Sequence, residues 1–202
     1  MTPTYKSPLQ SRSLNTEKKF LEAMSECLKH KSFGHLTIDE IASCAGMTRS
    51  AFLKRFGTKK QALLILYDLY CTKVLQALTA VANDMTNIRD AYQACYRISV
   101  DAEMLLKADF SVNRAMHELF METLEVHPQT KVLFKQCREL MKHIQRVHLP
   151  PDTGTDVGAY AGAQLMFSIN YNHVLQAMPG LPRDPQTRHQ MIATLVHDAL
   201  KF

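Results

Sequence analysis

The chain has 202 residues, 46% hydrophobic and 21% charged, with a formal net charge of +5, 11 Met and no Trp. That is enough chain for one generous core or for a small domain fused to a larger one, and the composition is that of a globular protein. No apolar run reaches the roughly 18–20 residues of a membrane-spanning helix, so no membrane partner is expected. The five cysteines (Cys27, Cys44, Cys71, Cys95, Cys137) are scattered, odd in number and free of C-x-x-C spacing. They read as reduced, mostly buried thiols of a cytoplasmic protein rather than as a disulfide frame or a zinc site.

The first residues, Met1 to Ser13, are polar and contain Pro. They read as a flexible arm without the apolar segment of a secretory signal. Residues 1–60 hold eleven Lys or Arg against five acids, whereas the remainder holds 13 basic and 14 acidic residues. The whole positive excess therefore sits in the first third. This suggests a contact there with nucleic acid or another anionic surface, or else a solvated basic face.

Nearly everything that follows predicts helix, because β-branched alternation and hairpin dipeptides are missing. A first helix covers about residues 15–31, with Phe20, Met24, Cys27 and Leu28 on one side. Thr37-Ile38-Asp39-Glu40 has the form of a capping box and opens a short second helix. Its apolar face is Ile41, Ala42 and Ala45, and Gly46 ends it. Thr48 caps a third short helix that runs to Arg55 or Phe56. Thr58-Lys59-Lys60-Gln61 is another capping box, launching a long apolar helix to about residue 82. Further helices are expected near 87–107, 109–125, 128–147, 155–178 and 185–201, with Pro128 and Pro185 at first helical positions. The fold class is all-α: an arm (1–13), a three-helix domain (14–60) and a larger helical domain (61–202).

Residues 37–56 carry the most specific chemistry. A short helix, a tight turn at Gly46 and a second short helix wedged by Ile41, Met47 and Phe52 make either a compact helical corner or a helix-turn-helix. In the latter, the second helix enters the DNA major groove. Arg49 and Ser50 in its first turn face base edges, where Arg49 can bond guanine O6 and N7. Lys54 and Arg55 lie at its far end. Thr37, Thr48 and Lys59 lie at helix starts, where amides and the helix dipole favour phosphate.

Residues 16–66 resemble the N-terminal domain of the TetR family of transcriptional regulators. The likeness is carried by Phe20-Leu21-Glu22-Ala23-Met24, by Ser32-Phe33-Gly34-His35-Leu36-Thr37-Ile38-Asp39-Glu40-Ile41-Ala42 and by Ala45-Gly46-Met47-Thr48-Arg49-Ser50-Ala51-Phe52. It continues through Phe56-Gly57-Thr58-Lys59-Lys60-Gln61-Ala62-Leu63. The resemblance implies phosphate contacts from Thr37, Thr48 and Lys59, and groove contacts from Arg49, Ser50 and neighbours such as Ala51. Leu53 departs from it, standing where the family usually has a Tyr that touches the DNA backbone. That contact is lost here or passes to Lys54 or Arg55. Ser32 and Ser50 each replace a frequent Gly.

The resemblance further implies a C-terminal domain that forms a homodimer and encloses a ligand cavity. The apolar sides of the last two helices supply dimer candidates: Tyr160, Tyr171, Val174, Met191, Leu195 and Val196. Candidates to line a pocket for a small apolar or amphipathic effector are Tyr92, Tyr96, Met104, Phe110, Met116, Phe120, Met121 and Phe167; such side chains also simply fill cores. No catalytic, cofactor or metal motif is recognisable, so an enzyme is not expected. The expected function is a ligand-responsive repressor that binds a palindromic DNA operator as a dimer. The alternative is an interaction protein of the same fold, acting through a protein partner without a small-molecule inducer.

Overall fold

A computed structural model describes residues 11–176 and 180–202. Residues 1–10 of the expected arm, and Met178 of the expected eighth helix, lie outside the described residues. Within them the chain forms nine α-helices and one 3₁₀ turn, with no strand. These are α1 (Ser11–His30), α2 (Ile38–Cys44), α3 (Arg49–Phe56), α4 (Lys59–Asn83), the 3₁₀ turn (Met85–Asn87), α5 (Ala91–Ala108), α6 (Phe110–Thr123), α7 (Pro128–His148), α8 (Asp156–Gln176) and α9 (Pro185–Ala199). Ser11–Ser13 thus belong to α1 and not to an arm. The helix expected from residue 87 starts only at Ala91, because the Asp90 carboxylate accepts from the Gln93 amide at 2.8 Å and so caps it there.

The chain divides into two compact units. The first comprises residues 1–69 and 111–125, the second residues 70–110 and 126–202, and the chain passes from one to the other within α4. Residues 111–125, read from sequence as part of the larger domain, therefore group with the small helices.

In the first unit, Phe20 of α1 meets Phe52 and Phe56 of α3 at ring-centroid distances of 5.4 and 5.9 Å, both nearly edge-on. All three rings are buried, with Met24, Leu28, Leu36 and Ile41 beside them. Each such side chain stabilises the fold by about 1.5–3 kcal/mol through burial. The edge-on ring geometry adds about 0.5–1.5 kcal/mol per pair.

The second unit is built on α5, α7, α8 and α9, with α8 packed against the other three. Its core runs through Ala94, Cys95 and Ile98 of α5, Leu140, Met141 and Ile144 of α7, Ala159, Ala163 and Met166 of α8, and Ile192, Ala193 and Val196 of α9. Gly158 permits the close approach of α8 and α9, since a Cβ there would stand 2.8 Å from the Ala199 carbonyl oxygen.

α4 is long and apolar enough, by length and composition alone, to cross a membrane, contrary to the reading from uninterrupted apolar runs. Asp68 and Lys73 lie within it, and Leu63, Tyr67, Tyr70, Cys71 and Val81 are buried inside the fold.

Candidate nucleic-acid interface

The first unit holds α2 and α3 as a helix-turn-helix through caps the sequence announces. Thr37 accepts from the Glu40 amide at 3.2 Å, while the Glu40 carboxylate accepts from the Thr37 amide at 2.9 Å, the reciprocal pair of a capping box. Ala45, Gly46 and Met47 form the turn, and Gly46 takes φ +64°, a left-handed backbone that Gly adopts without a Cβ penalty. Thr48 then caps α3 by accepting from the Ala51 amide at 3.2 Å.

This leaves Thr48, Arg49, Ser50, Leu53 and Lys54 exposed along one side of α3, with Ala51 half-buried and Phe52 and Phe56 turned inward. Thr37 is also exposed at the start of α2. Arg49 donates to Asp39 of α2 at 2.5 Å, and both side chains are more than half exposed. An ion pair so open to water is worth at most about 1 kcal/mol. It pre-positions the guanidinium and gives way readily to a stronger acceptor.

Two expected contact residues are placed otherwise. Arg55 points back to α1, where Glu17 accepts from its Nε at 2.8 Å, and the two side chains are only 16% and 14% exposed. Arg55 ties α3 to α1 and does not face outward with Lys54. Lys59, read as a phosphate contact, directs its ammonium to the Phe33 and Leu36 carbonyl oxygens, both at 2.6 Å, and lies 4.5 Å from the Phe33 ring centroid. Partial burial pushes its pKa down. The loop between α1 and α2 has backbone carbonyls without helical partners, and the ammonium satisfies them. The phosphate assignment therefore gives way to that of a loop clamp.

α6 reinforces the same loop. Arg114 donates to the Leu28 and Lys31 carbonyls at 2.6 and 3.1 Å, and Glu118 accepts from the Phe33 amide at 2.7 Å. Neither residue was among the sequence candidates. Their partners are backbone atoms more than eighty positions away, which leave no trace in local spacing.

The candidate pocket residues divide between the units: Met116, Phe120 and Met121 fall in the first, Tyr92, Tyr96, Met104, Phe110 and Phe167 in the second. Met116 is buried, whereas Met104 and Met121 are well exposed, and Phe110 and Phe120 are on the surface. Tyr92 and Tyr96 set their ring edges on His197 and His189, and Phe167 stacks on Tyr171 at 5.4 Å. An open surface cleft of about 590 Å³ in the second unit is lined by Lys142, Gln145, Pro151 and Asp156 among others, and by none of these candidates.

Of the dimer candidates, Tyr160 and Leu195 are exposed and Tyr171, Val174 and Met191 half-buried. Val196 is a correction: it is wholly buried in the core under α8, so its side chain is unavailable to a second copy. One buried cluster of the second unit was not anticipated. The Glu103 carboxylate accepts from Arg188 at 2.8–3.0 Å, and His189 and His173 stand 3.5 and 3.9 Å away. A signal existed, because Cys95, Ser99, Glu103 and Leu106 follow the helical repeat of the buried face of α5.

A capped short helix, a glycine turn and a second short helix exposing Thr48, Arg49, Ser50 and Lys54 define a helix-turn-helix DNA-binding domain. Residues 20–65 match the family described as bacterial regulatory proteins, tetR family. No curated protein matches the chain. Among solved structures it is similar to a TetR-family transcriptional regulator from Mesorhizobium loti, at 11% identity over 95% of this chain and 97% of that one, with a TM-score of 0.70. It is also similar to the fatty acid degradation regulator FadR from Bacillus halodurans (15% identity, 98% and 97% coverage, TM-score 0.66). A third is NalD, the secondary repressor of the MexAB-OprM multidrug efflux pump in Pseudomonas aeruginosa (18% identity, 94% and 98% coverage, TM-score 0.62). At such identities the structures establish a shared fold. By sequence, residues 20–65 carry the DNA-binding domain of that family, and over the rest of the chain the likeness is one of fold.

Proposed function

We propose that the protein is a repressor that binds a palindromic operator as a homodimer and releases it when a small apolar or amphipathic effector occupies the C-terminal domain. The observation that carries this reading is the outward face of α3, where Arg49, Ser50 and Lys54 are exposed on a helix of eight residues and Thr48 is exposed at its cap. The major groove admits one α-helix, and the leading side chains then meet base edges. Arg49 reads guanine, Ser50 and Ala51 pack beside it, and Thr37, Thr48 and Lys54 hold phosphates.

One such helix contacts few bases, so affinity calls for a second copy on the other half-site, about 34 Å away or a multiple of that. The exposed Val157, Tyr160 and Leu195 on α8 and α9 offer an apolar face for that pairing, with Tyr171, Val174 and Met191 beside it. The domains proposed from sequence, 14–60 for DNA and 61–202 for effector and partner, remain the working division. In it Ser111–Glu125 is the part of the second that packs on the first. Repression as the direction of control is supported by NalD, a repressor of similar fold.

A second reading, an interaction protein acting through a protein partner, is favoured by Leu53, an exposed apolar residue in the middle of α3. Salt separates the two. Binding to a duplex from upstream of the protein's own gene is expected to weaken linearly in log–log form, with a slope of about −0.9 per phosphate contact. A flat salt response on every duplex favours the interaction protein.

A further inference from the structure

The rotation of α3 about its own axis is fixed from several sides. Phe52 and Phe56 are buried, their ring centroids 4.9 Å apart, and both are set against Phe20 of α1. Arg55 is tied to Glu17 of α1 at 2.8 Å, and Arg49 to Asp39 of α2 at 2.5 Å. At about 100° per residue, the arc that these anchors leave outward runs in the order Arg49, Leu53, Ser50, Lys54.

Leu53 is 37% exposed there, an apolar side chain in an otherwise polar strip. It lies one turn on from both Arg49 and Ser50, and residues three and four apart on a helix hold their Cβ atoms about 5–6 Å from each other.

On entry of α3 into a major groove, Leu53 displaces water from whatever it covers. It can neither donate nor accept a hydrogen bond. A phosphate or a polar base edge beneath it would lose its water with nothing in return. Guanine, adenine and cytosine present only hydrogen-bonding groups to the major groove, whereas thymine also presents a methyl group at C5. The apolar spot is one side chain wide and is flanked on the arc by Arg49 and Ser50, with Lys54 beyond. That suits a single methyl group rather than the charge-poor core of a protein interface.

We propose that Leu53 is a specificity-determining residue that packs on the C5 methyl group of a thymine in each half-site; this rests on the DNA-binding reading above. The thymine lies within two base pairs of the guanine that Arg49 reads, because about 5–6 Å between neighbouring side chains spans at most two steps of about 3.4 Å. Arg49 selects its base pair by hydrogen bonding, and Leu53 selects the A·T pair beside it, and its orientation, by apolar contact. Burying one methyl group contributes about fourfold in affinity per half-site, or about fifteenfold over two.

The test selects duplexes from a random pool with the full-length protein. It then replaces each thymine of the selected site by deoxyuridine, symmetrically in both half-sites. That change deletes the methyl group and leaves every hydrogen-bonding group in place. One thymine position, within two base pairs of the guanine whose preference is relaxed in Arg49→Ala, is expected to lose about fifteenfold. Leu53→Ala is expected to bind the thymine and deoxyuridine duplexes alike at that position, and Leu53→Met, which keeps an apolar tip, to retain most of the difference. An equal loss in wild type and in Leu53→Ala assigns the methyl group to another side chain and overturns the proposal. So does a selected site with no thymine in that interval, or one whose thymines are all indifferent to the replacement in the wild-type protein, a measurement that needs no variant. If no duplex is selected, the DNA-binding reading fails and this inference with it. A duplex bound with the expected salt slope but without methyl dependence overturns the inference alone.

Discussion

The backbone amide of Phe33 donates to the Glu118 carboxylate at 2.7 Å, joining residues 85 positions apart within one compact unit. Phe33 sits in the loop from α1 to α2, so α6 holds the segment that sets where α2 begins. Removing the acceptor leaves a part-buried amide unsatisfied, which costs about 1–3 kcal/mol. Glu118→Ala is therefore expected to lower the unfolding free energy of the N-terminal unit, measured by urea denaturation, by that amount. Amide hydrogen exchange should rise at Phe33, and an unchanged exchange rate there would contradict the contact.

Lys59 clamps the same loop from the other side. Lys59→Met keeps most of the aliphatic stem and deletes the ammonium, taking the charged donor from the Leu36 carbonyl and leaving the Phe33 carbonyl to the Leu36 amide alone, at a cost of about 1–3 kcal/mol. The expected signature is reduced stability with an unaltered salt slope of DNA binding. If Lys59 held a phosphate instead, the slope would shrink by about 0.9.

Arg49 is exposed and, among the described residues, pairs with Asp39. Arg49→Ala is expected to leave stability within about 0.5 kcal/mol, as for a surface change. It should also reduce discrimination at one base pair by about 1–3 kcal/mol. Lys54→Ala should weaken binding to all duplexes alike and make the salt dependence shallower. A competition assay over single-base operator variants separates the two.

Glu40 has its carboxyl lowered from 4.5 to about 2, first by the hydrogen bond from Lys31 and then by those from Thr37. A carboxylate depressed in the folded state contributes stability that is complete above its unfolded value. That contribution is lost as pH falls from about 4.5 through 2. Glu40→Gln is expected to flatten the stability profile in this window and leave it parallel to wild type above pH 5. A wild-type slope that survives the substitution assigns the effect elsewhere.

Glu103 and Arg188 are 4% and 2% exposed and form a bidentate pair. Burial pushes the Glu103 carboxyl up, and the hydrogen bonds from Lys107 and Arg188 more than offset this, leaving it below its ordinary value. Arg188→Met removes the bidentate partner and leaves the buried carboxylate with Lys107, at an expected cost of about 3 kcal/mol, the low end for a broken buried pair. Replacing Glu103 by Met as well should recover much of that loss, because no buried carboxylate then remains, and the half-exposed Lys107 keeps its water. A double-mutant cycle by chemical denaturation measures the coupling, and strict additivity would show that the pair does not act as one.

Most helix boundaries were legible in sequence because local chemistry sets them. Thr37, Thr48 and Thr58 satisfy amides three residues on, Gly46 takes the left-handed turn without a Cβ penalty, and Phe20, Phe52 and Phe56 recur on inward faces. Such contacts span a turn or two of helix, so their spacing is written in the chain. Which cations face outward was decided by tertiary structure. Lys54 and Arg55 are neighbours of the same charge, yet one meets solvent and the other meets Glu17 of α1, a partner 38 positions away. The same holds for Lys59, Val196 and the pair Glu103–Arg188. A long-range partner depends on how helices cross, and a helical repeat gives the direction of a side chain around its own axis but not what the fold sets against it.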